Sequence, residues 1–213
     1  MSVRENLTSV RERIERAGRD PKEVAIIAVT KGFGAEACLE ALEAGLRMLG
    51  ENRVQEALGK MDAVPDVDWH LIGHLQVNKV RQTAGRFALI QSVDSLRLAG
   101  ALANTAPSQA VLVEVNVARE PQRSGVDPTK ALEIIAGVAG LLDVRGLMAM
   151  GPSEGDPTPA FLELRHLRDQ AEQRLGTRLP VLSMGMSGDF EAALACGSTM
   201  LRLGQALFGS RPQ

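Results

Sequence analysis

Val24-Ala-Ile-Ile-Ala-Val-Thr-Lys-Gly-Phe-Gly-Ala-Glu-Ala37 is the stretch that decides the fold. Apolar and β-branched residues run unbroken from Val24 to Thr30. A glycine-bearing turn follows, and a helix is expected from about Gly34 to Ala44. A fully apolar strand that hands over directly to a helix is the repeating unit of a parallel sheet. What remains is to count such units and ask whether they close.

The same hand-over recurs outward along the chain. Strands are expected at Leu46–Leu49, Trp69–Ile72, Phe87–Val93, Ala110–Asn116, Val144–Met148, Pro180–Ser183 and Thr199–Leu203, each followed by a helix or a helix start. Asp94 reads as an N-cap, and Asp127-Pro128 as a helix start with Pro in the first turn. Upstream, Val3, Leu7, Val10 and Ile14 mark one face of an extra N-terminal helix. Eight strand–helix units in roughly 200 residues fit a (β/α)₈ barrel at its minimum size. A doubly wound sheet usually has five or six strands and fits less well. One α/β domain over residues 1–213 is therefore expected.

Composition narrows the function. Of 213 residues, 45% are apolar and 23% charged, with a formal net charge of −2. No basic cluster points to nucleic acid or an anionic membrane. Two cysteines, Cys38 and Cys196, do not make a disulfide framework and suit a reducing cytoplasmic setting. The segment from Met1 to Arg19 lacks the apolar core of a secretory signal. His70 and His74 are four apart, but His70 falls on an expected strand, so helical zinc spacing does not apply and no metal site is expected.

In a barrel, function gathers at the strand C-termini, and phosphate sites favour the last two loops. The seventh strand enters Ser183-Met-Gly-Met-Ser-Gly-Asp189, and the eighth enters Arg202-Leu-Gly-Gln-Ala206. Hydroxyls and glycines just before a helix make an anion site. Lys31 ends the first strand, which closure would place beside the eighth. A lysine amine facing a phosphate cradle points to pyridoxal 5′-phosphate (PLP) as cofactor. The competing alternative is a dinucleotide-binding oxidoreductase. Gly32-Phe-Gly-Ala-Glu-Ala37 matches G-x-G-x-x-A, and Glu51 would be the ribose-binding acid.

The chain also resembles a known family, the PLP homeostasis proteins, which look like the barrel domain of bacterial alanine racemase standing alone. The resemblance rests on Ala28-Val-Thr-Lys31, Gly50-Glu-Asn-Arg-Val-Gln-Glu56, Trp69-His-Leu-Ile-Gly73, Leu75-Gln-Val-Asn-Lys79, Ser92-Val-Asp94, Arg145-Gly-Leu-Met-Ala149, Leu182-Ser-Met-Gly-Met-Ser187 and Thr199-Met-Leu-Arg-Leu-Gly204, with Phe208-Gly209. It implies that Lys31 is the Schiff-base lysine. It places Ser187, Gly204 and Gln205 on the phosphate, Arg202 at the pyridine nitrogen, and Asn52 and Met148 beside the ring. Gly32-Phe-Gly34 stands where the family often has Thr-Lys-Pro, which predicts a looser loop after Lys31. Leu71 replaces the usual Phe or Met, and Gln205 the frequent Thr.

The resemblance implies a carrier or buffer of PLP, with no catalytic residue assigned, supplying PLP-dependent apo-enzymes. Racemase chemistry in the related family uses a second acid/base, a tyrosine from another domain, and this sequence has no tyrosine. An arginine at the ring nitrogen can donate a hydrogen bond but not hold the proton as a carboxylate would. Weak PLP-dependent racemisation stays open as an alternative. A monomer is expected for a barrel standing alone.

Overall fold

In the computed structural model, eight parallel strands pair in sequence order and close on themselves, β1-β2-β3-β4-β5-β6-β7-β8 and back to β1. The structure describes residues 2–210, so Met1 and residues 211–213 of the expected 1–213 unit lie outside it. The strands are β1 (Ala25–Val29), β2 (Met48–Glu51), β3 (Asp68–Leu71), β4 (Leu89–Val93), β5 (Ala110–Glu114), β6 (Asp143–Met148), β7 (Val181–Ser183) and β8 (Met200–Leu203). Closure excludes the doubly wound sheet that the dinucleotide-binding alternative requires.

The helices between them are α2 (Ala35–Glu43), α3 (Val54–Met61), α4 (Val80–Thr83), α5 (Leu96–Ala103), α6 (Ala131–Ala139), α7 (Thr158–Leu175) and α8 (Phe190–Ala195), with α9 (Gln205–Phe208) after the last strand. Their apolar faces and the outward strand residues form the larger core. Trp69 belongs to that layer and is buried. Ile27, Leu89, Leu112, Met148 and Met200 pack separately as the barrel filling.

The extra helix α1 (Val3–Arg16) buries Val3, Leu7, Val10 and Ile14, as the spacing predicts. A reciprocal capping box starts it: Glu5 N–H donates to Ser2 Oγ, and Ser2 N–H to Glu5 Oε2. It lies across the closing end of the barrel. Asn6 Nδ2 donates to the Leu207 carbonyl at 2.7 Å, and Arg13 pairs with Glu191 while stacking 4.2 Å above Phe190.

Two expected features are displaced. The second strand begins at Met48 rather than Leu46. Leu46 completes a Schellman cap on α2, its N–H reaching the Ala41 carbonyl across Gly45 at φ +91°. Helix α5 is capped by Ser95, whose Oγ accepts from Leu98 N–H; Asp94 instead turns to His74, 3.3 Å away.

Candidate functional site

The C-terminal mouth of the barrel holds a cavity of about 400 Å³. Lys31, Asn52, Met148, Ser187, Arg202, Gly204 and Gln205 all line it. They come from five strands or the loops just after them, so no stretch of local sequence could build this wall. Strand register explains the central pair. Ile27 of β1 lies opposite Arg202 of β8, and Ala28 opposite Leu203. The two basic side chains thus stand at the mouth of neighbouring strands.

Arg202 is the most constrained of the set. Its side chain is buried, and Nη1 donates to both the carbonyl and the Oγ of Ser183, each at 2.7 Å. Nη2 donates to the Ala149 carbonyl at 2.8 Å. Behind it a polar chain crosses the barrel: Ser183 Oγ donates to Gln91 Oε1, and Gln91 Nε2 to His70 Nδ1 at 2.9 Å. Burial holds the His70 imidazole down at about 4, so it is neutral and accepts at Nδ1. Burial also lowers the Arg202 guanidinium, to about 10, and Glu114 and Asp189 oppose the shift; at neutral pH it remains a cation.

The last two loops meet as their glycines and hydroxyls predict. Ala206 N–H donates to Ser187 Oγ at 3.0 Å, tying the loop after β7 to the loop after β8. The helices behind them are short, α8 of six residues and α9 of four, so their macrodipoles contribute little. Any anion held here is held by local N–H and hydroxyl donors. On the opposite side, Gly73 allows a close approach: a Cβ there would clash with the Asn52 carbonyl oxygen. Asn52 is thereby seated against the β3 loop.

The loop after Lys31, expected to be looser, is tied at three points. Glu56 Oε1 accepts from Gly32 N–H at 2.6 Å, Phe33 N–H donates to the Thr30 carbonyl at 3.1 Å, and the Phe33 ring packs 5.3 Å from Phe208. The first tie also disposes of a pyrophosphate at this glycine turn, because a carboxylate already occupies its amide. Glu51, the candidate ribose ligand, is fully buried and bound to Lys60 Nζ at 2.7 Å and Thr30 Oγ1 at 2.6 Å. It is not on the wall of the cavity at the barrel mouth.

The sequence reading missed Glu114. This carboxyl ends β5, is 3% exposed, lines the cavity and accepts from Ser124 Oγ at 3.0 Å. Burial raises its proton affinity, with Ser124 and Arg202 opposing. The available signal was a single charge in the apolar run Val111-Leu-Val-Glu-Val115, at a strand end of a fold that puts its site there.

The alanine racemase N-terminal domain family matches residues 2–212 of this chain. The Pyridoxal phosphate homeostasis protein of Aquifex aeolicus (strain VF5) is 41% identical over 226 aligned residues, covering 99% of each chain. This chain belongs to the pyridoxal phosphate homeostasis protein family. The member from Escherichia coli (strain K12) is 40% identical, covering 98% of this chain and 97% of its own. Among solved structures, PipY of Synechococcus elongatus PCC7942 with PLP bound superposes with a TM-score of 0.86 at 37% identity, over 98% of this chain and all of that one. An alanine racemase from Clostridium difficile 630 shares the fold, with a TM-score of 0.79 at 17% identity; the match takes in all of this chain and 57% of that one. The family's barrel is thus present here with the closed topology that its sequence pattern implies.

Proposed function

We propose that this chain holds PLP at the barrel mouth and serves as a carrier or buffer of it in PLP homeostasis. One observation carries the reading: the seven residues that the family resemblance assigns to the cofactor line a single cavity. Its size suits a small cofactor, since such sites span roughly 300–1,000 Å³. PLP bound there would supply an aldehyde that condenses reversibly with a primary amine. Lys31 is that amine. Ser187, Gly204 and Gln205 hold the phosphate, Asn52 and Met148 flank the ring, and Arg202 donates to the pyridine nitrogen.

The donor set favours holding over turnover. Arg202 is fixed by three hydrogen bonds and stays cationic, so it offers a proton to share and none to accept. The ring nitrogen then stays unprotonated and withdraws electrons weakly. The relatives 40–41% identical to this chain are named for homeostasis. We assign the whole chain to one PLP-handling unit, working as a monomer in the cytoplasm and passing PLP to PLP-dependent apo-enzymes. Glu114 favours a second reading, slow amino-acid racemisation, because it places a protonatable group on the cavity wall.

Absorbance tests both. Wild-type protein carrying PLP is expected to show a yellow band near ~420 nm that borohydride bleaches, and Lys31→Ala to show none. A yellow band kept in Lys31→Ala overturns the assignment. Sustained, saturable amino-acid turnover by the wild type, lost in Lys31→Ala, overturns the carrier.

A further inference from the structure

Helix α3 reaches beneath the end of β1 with two charged side chains, one on each side of Lys31. Lys60 Nζ donates to the Thr30 carbonyl at 2.9 Å, which belongs to the peptide entering Lys31. Glu56 Oε1 accepts from Gly32 N–H at 2.6 Å, which belongs to the peptide leaving it. Fixing both peptide planes around one Cα fixes the direction of its Cα–Cβ bond. The two grips are linked: Lys60 also binds Glu51 at 2.7 Å and lies 3.9 Å from Glu56. Gly32 sits at φ +77°, where a side chain is rarely tolerated, so the turn presents its N–H at an angle that few other residues would allow. Lysine is almost never buried unless paired, and buried Lys60 is paired with buried Glu51. Its other hydrogen bond goes to the backbone that enters Lys31.

We propose that Glu56 and Lys60 are positioning residues that aim the Lys31 side chain into the cavity. The proposal rests on Lys31 being the amine that takes PLP. Neither residue lines that cavity, and each grips the backbone on one side of Lys31.

The test compares Glu56→Ala with Glu56→Gln in the full chain. Glu56 is half-buried at the surface, so neither change opens the core. Two readouts are taken: hydrogen exchange of the Gly32 amide in protein stripped of PLP, and PLP affinity by absorbance titration. Glu56→Ala is expected to speed Gly32 exchange about tenfold and weaken PLP about tenfold, the size of a lost hydrogen bond to a charged acceptor. Glu56→Gln keeps an oxygen that accepts the same N–H, and both readouts are expected within about threefold of wild type. Lys60→Met, releasing the other peptide, is expected to weaken PLP similarly; should it not fold, the Glu56 pair decides alone. Wild-type affinity and exchange in Glu56→Ala overturn the proposal. So does a Glu56→Gln protein as impaired as Glu56→Ala, since charge rather than orientation would then matter. A wild type that takes up no PLP overturns the cofactor reading, whereas an unprotected Gly32 amide in wild type overturns the grip, so the two failures are told apart.

Discussion

Replacing Lys60 by methionine removes the cation that binds the buried carboxylate of Glu51. Glu51 is fully buried, Oε2 has no hydrogen-bond partner, and Oε1 would keep only the Thr30 hydroxyl. Breaking one side of such a pair costs about 3–5 kcal/mol. For a chain of this size that is a fall in Tm of roughly 6–20 °C, at 2–4 °C per kcal/mol. The loss should depend on pH, and its sign follows from Glu51. Burial raises its proton affinity above the ordinary value of 4.5 even beside Lys60. The folded state therefore binds this proton more tightly than the unfolded chain, so this group favours folding more as pH falls from neutrality toward 4.5. Without Lys60 the shift grows. The difference between Lys60→Met and wild type should then shrink by up to about 1.4 kcal/mol per pH unit on acidification. Denaturant unfolding of wild type, Lys60→Met and Lys60→Met/Glu51→Gln from pH 5 to pH 8 reads it directly. The double variant, with no charge left to bury, is expected to recover most of the loss at pH 8. A pH-independent loss, or a double variant no better than the single one, refutes the reasoning.

Other expectations follow from the same geometry. His70, held neutral by burial at about 4, should show no titration by NMR between pH 8 and pH 5.5. Because its folded value lies below the usual 6.5, its contribution is present above pH 6.5 and lost as pH falls toward 4, by about 3 kcal/mol in all. Glu114→Gln keeps an acceptor for Ser124 and removes a buried charge, so it should raise stability by about 1 kcal/mol at pH 8 and leave it unchanged near pH 4, by chemical denaturation. Gly73→Ala drives a methyl into the Asn52 backbone and should cost about 1–3 kcal/mol, with weaker PLP uptake in the same preparation.

The alternation of strand and helix was legible because a (β/α)₈ sheet is covered on its outer face and filled within, so its strands read as apolar runs. The boundaries were less so. Leu46 looks like a strand residue in sequence, yet its apolar side chain belongs to the cap of the preceding helix; only the φ of Gly45 separates the two. The wall of the candidate site was legible where chemistry and strand ends coincide, as at Lys31, Ser187 and Arg202, which line one cavity. The chain that links Gln91, Ser183 and His70 was not legible, because an inward polar residue is placed only once register shows which partner it faces. Lys60 escaped for a similar reason: on a helix it reads as a surface charge paired with Glu56, and its burial depends on the strand lying above it.

The seam between the first and last strands has a thermodynamic corollary. Ala25 pairs with Met200, so the two halves of the cavity are brought together by contacts about as distant in sequence as this chain permits. Contacts of such separation are slow to form, because the loop-closure entropy precedes any reward. A ligand straddling the seam recognises only the closed ring and works as a clasp. At a hundred times its dissociation constant it would add about 2.7 kcal/mol to the folded state. Helix α1, fastened across the same join through Asn6 and Arg13, is the clasp's permanent counterpart.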